Sequence, residues 1–219
     1  DTLSYFSDQP LTFTINNSKR SMVITSANGS YNFIGQNGDE YPRLPQLQDD
    51  ARLLTLPVAS LTAGITKTLF CTADDELRPV MNGVYFDIAR DGVTFVATDA
   101  HKLVRLKTAL NSITMSDEEE KVSFILPKKP ATMLKNILPK ESGDVEVKFD
   151  NKNAYFKLSN YTMICRQVEG RFPNYNGVIP KQNLYKIIID RMTLLNALKR
   201  VSVFSNQASN LIRLQLSDK

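Results

Sequence analysis

This 219-residue chain has no tryptophan and is nearly without histidine and cysteine: one histidine, His101, and two cysteines, Cys71 and Cys165. With one histidine, a Ser-His-Asp triad could only use His101; Asp99 lies two residues away, and no serine stands in a GxSxG elbow. Both cysteines lie in apolar stretches and read as free buried thiols in a reducing compartment, not as a disulfide or metal site. There is no HExxH and no Cys/His cluster, so zinc is not expected. There is no GxxxxGK[ST] and no GxGxxG, so no phosphate-cradling loop is expected either. A metal-dependent nuclease needs acids converging on one point. Asp87, Asp91 and Asp99 are the candidates, yet Asp87 reads as a strand residue and Asp91 as a turn residue. We therefore expect no catalytic site, no metal and no cofactor. No apolar run approaches the roughly 18 residues of a membrane span, and no signal-peptide pattern opens the chain. A cytoplasmic protein without membrane contact is expected. The sequence does not begin with Met and stops in a turn-like Ser217-Asp218-Lys219, as a piece of a longer protein would.

What is present suits a globular protein: 42% hydrophobic and 23% charged residues. The net charge of +4 permits a nucleic-acid partner without demanding one. The most informative feature is an internal repeat. Residues 11–17, then Met22-Val23-Ile24-Thr25, share their apolar positions with residues 145–151, then Tyr155-Phe156-Lys157-Leu158. Tyr41-Pro42-Arg43-Leu44-Pro45 meets Tyr175 to Pro180 with one residue inserted, and Leu61 to Lys67 meets Leu194 to Arg200. The offset stays near 134 residues. This predicts the end of one module over 1–50, a complete module over 51–180 and the start of a third over 181–219.

Within the complete module, residues 52–56 read as a strand. Val58, Leu61, Ile65 and Leu69 then follow at helical spacing, with Thr62, Thr66 and Lys67 mainly on the other face. Residues 84–88 form a strand, Arg90-Asp91-Gly92 a turn, and 93–97 with 102–106 a hairpin about Thr98-Asp99-Ala100-His101. Residues 116–120 are an acidic loop. Residues 121–126 form a strand and 127–138 a helix, whose apolar stripe is Met133, Leu134, Ile137 and Leu138. Strands over 145–149, 154–158 and 161–168 complete the module. The order strand, helix, three strands thus occurs twice. One helix alternating with several antiparallel strands predicts an α+β fold with helices collected on one face of a sheet, not a doubly wound βαβ fold.

Two features are candidates for function. The hairpin presents His101 beside Lys102 and Leu103, as a recognition surface or as an ordinary turn. The helices carry Lys67, then Lys128, Lys129 and Lys135, then Lys199 and Arg200. If equivalent helices lie side by side, these cations form one basic surface suited to sequence-independent, salt-sensitive phosphate contacts; the plain alternative is a solvated face.

Three motifs carry a resemblance: Val96-Ala97-Thr98-Asp99-Ala100-His101-Lys102-Leu103; Glu169-Gly170-Arg171-Phe172-Pro173-Asn174-Tyr175 with Val178-Ile179-Pro180; and Met81-Asn82-Gly83-Val84. Together they resemble the bacterial sliding clamps, the beta subunits of DNA polymerase III; the second motif and residues 196–206 are most similar to clamps of the Bacteroidetes group. The family usually has Gly where Ala100 stands and often Arg where Lys102 stands. The resemblance implies a DNA-clamp fold of three modules, each with antiparallel sheet outside and two helices on the inner face. It implies a head-to-tail homodimer ring around double-stranded DNA. Such a protein is a processivity factor, not itself a catalyst. The resemblance also implies a groove for short peptides from the polymerase III alpha subunit, the clamp loader and repair proteins. Its second-module side would be Met81, Thr98, Ala100, His101, Lys102, Leu103, Pro173, Gly177 and Val178. Gly177 stands where some members carry a long basic residue. The rival readings are a hydrolase using Asp99 and His101 as an acid–base pair, and a protein-binding repeat module with no DNA role.

Overall fold

A computed structural model describes residues 2–48, 50–109, 111–114, 119–206 and 209–215. The chain divides into two compact units, Asp1–Phe172 and Pro173–Lys219.

The first unit opens with strands β1 (Thr12–Asn16), β2 (Ser21–Ser26) and β3 (Gly29–Ile34). They form a three-stranded antiparallel meander. Strand β3 is not announced by the apolar pattern. β4 (Arg52–Pro57) leads into α1 (Val58–Thr68), and a 3-10 turn continues the helix from Leu69 to Cys71. β5 (Gly83–Ala89), β6 (Gly92–Thr98) and β7 (Leu103–Thr108) follow as an up-and-down run. After the two-residue β8 (Ser112–Ile113), β9 (Lys121–Pro127) leads into α2 (Lys128–Ile137). β10 (Asp144–Phe149), β11 (Asn153–Lys157) and β12 (Thr162–Arg166) end the series. The doubled strand–helix–three-strand order is therefore present. Each helix starts just after a Leu-Pro pair, with Pro57 and Pro127 at the last strand position and the N-cap. Proline's fixed φ suits that junction, and it has no N–H to leave unpaired there.

The antiparallel strands of the central module divide between two sheets. One sheet runs β12-β11-β10-β4-β8 and the other β7-β6-β5-β9. The first strand of each half pairs with the strands of the other half. β4 lies against β10, with Leu54 opposite Val147, and β9 lies against β5, with Phe124 opposite Phe86. One buried cluster spans both sheets and both helices. At its centre Phe86 stacks on Phe124 at 4.4 Å and meets Phe95 edge-on at 4.8 Å, while Phe124 lies 4.8 Å from Phe149 of the other sheet. Such aromatic pairs each add about 1 kcal/mol beyond area burial.

α1 buries Val58, Leu61 and Ile65, as its spacing predicts, and also Gly64 and Thr68. The stripe of α2 needs one correction. Met133 is 48% exposed, and Ala131 is buried with Leu134 and Leu138. Positions 131, 134 and 138 share one helix face, and 133 lies well off it. The acidic stretch also differs in part: Glu119 forms an ion pair with Arg52, and Ser116 to Glu118 lie outside the described residues.

The second unit contains a 3-10 turn, Tyr175–Gly177, and α3 (Arg191–Ser202). Asp190 caps α3 by accepting from the Thr193 N–H at 2.8 Å and its hydroxyl at 2.9 Å. No residue of α3 is buried.

Gly64 tests the packing of α1 on the sheet. A Cβ there would lie 2.6 Å from ring atoms of Phe95. Helix propensity favours Ala over Gly by ~1 kcal/mol, and overpacking a core costs ~1–3 kcal/mol. A clash with three atoms of a buried ring decides the balance. Gly64→Ala should lower the urea midpoint by the equivalent of ~1–2 kcal/mol; a rise would mean that α1 packs elsewhere.

Candidate peptide-docking surface

The β6–β7 hairpin is organised by two side chains. The Thr98 hydroxyl donates to the Lys102 carbonyl at 2.8 Å and accepts from the Ala100 N–H at 3.1 Å. The Asp99 carboxylate accepts from the His101 N–H at 3.0 Å, from the Lys102 N–H at 2.9 Å and from the Lys102 ammonium. These are the Asx- and ST-type bonds that such residues offer a tight turn. They hold Ala100 at φ +75°, in the left-handed region. That is a conformation which favours Gly, the residue without a Cβ penalty.

The turn leaves Ala100, His101 and Lys102 exposed, with Leu103 half-buried at the start of β7. Thr98 is buried and paired in register with Leu103. Met81 reaches the same end of the sheet from the neighbouring strand: it ends the 3-10 turn Pro79–Met81, two residues before β5, and β5 pairs with β6. The loop carrying Met81 is tied by Asn82, whose side chain accepts from the Asp75 N–H at 3.0 Å and donates to the Asp75 carbonyl at 2.9 Å. The Ala73 N–H donates to the Met81 carbonyl at 2.9 Å. Of the nine residues predicted for peptide docking, the first unit thus brings six together: Met81, Thr98, Ala100, His101, Lys102 and Leu103. In the second unit Pro173 is half-buried, Gly177 ends the 3-10 turn, and Val178 is 69% exposed.

The geometry does not favour the hydrolase reading. Asp99 spends its carboxylate on backbone N–H groups and on Lys102, not on the imidazole. The Lys102 ammonium, with the Lys102 and His101 N–H groups, holds that carboxyl well below the usual carboxylate range, where it is a poor general base at neutral pH. Asp91 and Asp99 sit at opposite ends of β6, so they do not converge with Asp87. Among the described residues no group of acids, His or Cys could hold a metal, and no helix is long and apolar enough to cross a membrane. Both cysteines are free thiols: Cys71 is buried, and burial pushes the half-buried Cys165 up to about 11.

The cations predicted to face DNA divide into two kinds. Lys67, Lys129, Lys135, Lys199 and Arg200 are exposed on α1, α2 and α3. Lys128, the first residue of α2, is ion-paired with Asp74. Spacing along the helix could not reveal this, because the partner lies 54 residues away in sequence.

Two predictions concern the hairpin. Ala100→Gly should relieve the left-handed strain and raise stability by up to ~1 kcal/mol in urea unfolding; a loss of stability would mean that Ala100 is not strained. Asp99 has a folded pKa below its unfolded value near 3.9. Its contribution is therefore present above about pH 4 and lost as the pH falls through the lower, folded pKa. The Asp99 side-chain carboxyl carbon signal should stay fixed from pH 7 to about 4 and move only below; a titration centred at or above the unfolded value would contradict this assignment.

The DNA polymerase III beta subunit, central domain, matches residues 55–174. The beta sliding clamp of Synechococcus elongatus is 29% identical over 93% of this chain and 54% of its own length. That of Staphylococcus aureus is 31% identical over 90% of this chain and 51% of its own. The chain spans about half the length of these curated relatives. Among solved structures, the sliding clamp of Bacillus subtilis superposes with a TM-score of 0.80 at 25% identity, covering 91% of this chain and 52% of that one. The Bartonella birtlesii clamp, solved bound to griselimycin, gives 0.82 at 25%, covering 95% and 56%. With its central part matched over residues 55–174 on an antiparallel α+β frame, the chain belongs to the DNA polymerase III beta subunit family.

Proposed function

We propose that this chain is part of a DNA sliding clamp, the processivity factor of the DNA polymerase III holoenzyme. The family match over residues 55–174 carries the reading. On it, residues 1–50 end one clamp module, 51–180 are a complete second module and 181–219 begin a third. The common three-stranded meander of β1–β3 and β10–β12 supports this division. The whole protein acts as a head-to-tail homodimer ring in the cytoplasm. It catalyses nothing: it tethers polymerase by topology and raises the enzyme's effective concentration at the primer end. Lys67, Lys128, Lys129 and Lys135 supply weak, sequence-independent contacts to duplex phosphates, which permit sliding; Lys199 and Arg200 have the same role in the second unit. Met81, Thr98, Ala100, His101, Lys102 and Leu103 receive short peptides from the polymerase III alpha subunit, the clamp loader and repair proteins. Apolar Met81 and Leu103 beside polar Thr98, His101 and Lys102 suit such a peptide. Pro173, Gly177 and Val178 have the same role in the second unit.

The test uses the full-length protein with its loader on nicked circular DNA. Cutting the circle should release the protein; retention on the linear product would contradict a topological tether. The lysines give a finer test. Each phosphate-contacting Lys replaced by Ala should lower the salt slope of DNA binding by about 1. Lys129→Ala and Lys135→Ala should each do so, and Lys128→Ala should do less, because Asp74 already neutralises it. Unchanged slopes for Lys129→Ala and Lys135→Ala would move the DNA surface away from α2.

A further inference from the structure

We infer that Gly170 is a positioning residue for peptide docking. By leaving room for Val80, it sets where the adjoining Met81 side chain is presented. The inference rests on the docking role proposed for Met81.

The segment after β12 crosses back over the first unit as a strap, and several bonds hold it. The Gln167 side-chain amide donates to the Asp150 and Asn153 carbonyls, both at 2.9 Å. The Val168 N–H donates to the Ile125 carbonyl at 3.1 Å, on the otherwise open edge of β9. Phe172 stacks flat on Tyr85, with ring centres 4.5 Å apart. Between these anchors Gly170 adopts φ +121°, and a Cβ there would lie 2.8 Å from Cγ1 of Val80. Val80 is the middle residue of the turn that ends in Met81.

Neither partner in that contact can yield easily. The strap is fixed on both sides of Gly170. A valine side chain is stiff about χ1 and cannot swing aside at low cost. The turn is tethered on its other flank through Asn82, Asp75 and Ala73. A methyl group at 170 must therefore shift the turn as a body, and Met81 moves with it. In this way a glycine outside the docking surface governs one of its apolar contacts.

The experiment uses the full-length protein labelled with 13C at its methionine methyls. It is titrated with a synthetic peptide copied from the clamp-binding segment of a polymerase III alpha subunit. Gly170→Ala should shift the Met81 signal, leave that of buried Met163 in place, and weaken the peptide at least fivefold. Val80→Ala added to Gly170→Ala removes the clash and should restore both signal and affinity most of the way. Gly143→Ala is the control for backbone strain alone, because Gly143 also has a positive φ, +77°, but open space around it; it should leave Met81 and the peptide unaffected. An unmoved Met81 signal in Gly170→Ala, or no restoration in the double variant, overturns the inference. If Gly170→Ala also displaces Met163, Val80→Ala alone decides: it removes the support behind the turn and should move Met81, and an unmoved signal refutes the role. Failure of the unsubstituted chain to bind the peptide would instead defeat the docking reading, while the Met81 shift would still report the Gly170–Val80 contact.

Discussion

The exchange of first strands between the two halves of the central module is the constraint on which the rest depends. β4 belongs in sequence to the first half and pairs with β10; β9 belongs to the second and pairs with β5. Neither half can bury its apolar face without the other's strand. The phenyl rings of β5, β9 and β10 meet only because these pairings bring the two sheets onto one core. The helices inherit their places from the same exchange, since each begins where an exchanged strand ends, at Pro57 or Pro127. Gly64 then lets α1 settle onto Phe95.

The same frame places the residues proposed to receive a peptide. β5 and β6 are neighbours, so the turn before β5 and the hairpin after β6 emerge at one end of one sheet, bringing Met81 beside Thr98 and Leu103. Each piece is stabilised locally: Thr98 and Asp99 tie the hairpin, and Asn82 with Asp75 ties the loop. A sheet end held by short-range hydrogen-bonded turns would lose little freedom on binding the proposed peptide. The positive φ of Ala100 is a local strain kept by those same bonds.

Charge distribution suits the contact with duplex DNA proposed for this chain. Exposed lysines on helices give a soft, screened attraction to phosphate with no base readout. The pairing of Lys128 with Asp74 moderates it further at the start of α2.

Much of this was legible in the residues alone. The constant repeat offset, the periodicity of α1 and the alternation in the strands follow from local pattern, because helix and strand impose periods that any buried face must obey. The hairpin and its Asx turn were equally legible, because their bonds join residues two to four apart. What only the tertiary structure decided is long-range: which strands pair across the halves, that the sheet divides in two, that Ala131 and not Met133 faces the core, that Asp74 takes Lys128, and that Gly170 lies against Val80. Those contacts join residues up to 97 positions apart, as with Arg52 opposite Phe149, and pairing choice at such distances is set by the shared burial of the whole core. Sequence by itself therefore determined most of the elements, though not β3 or β8, and the family resemblance. Packing determined which side chains those elements place together.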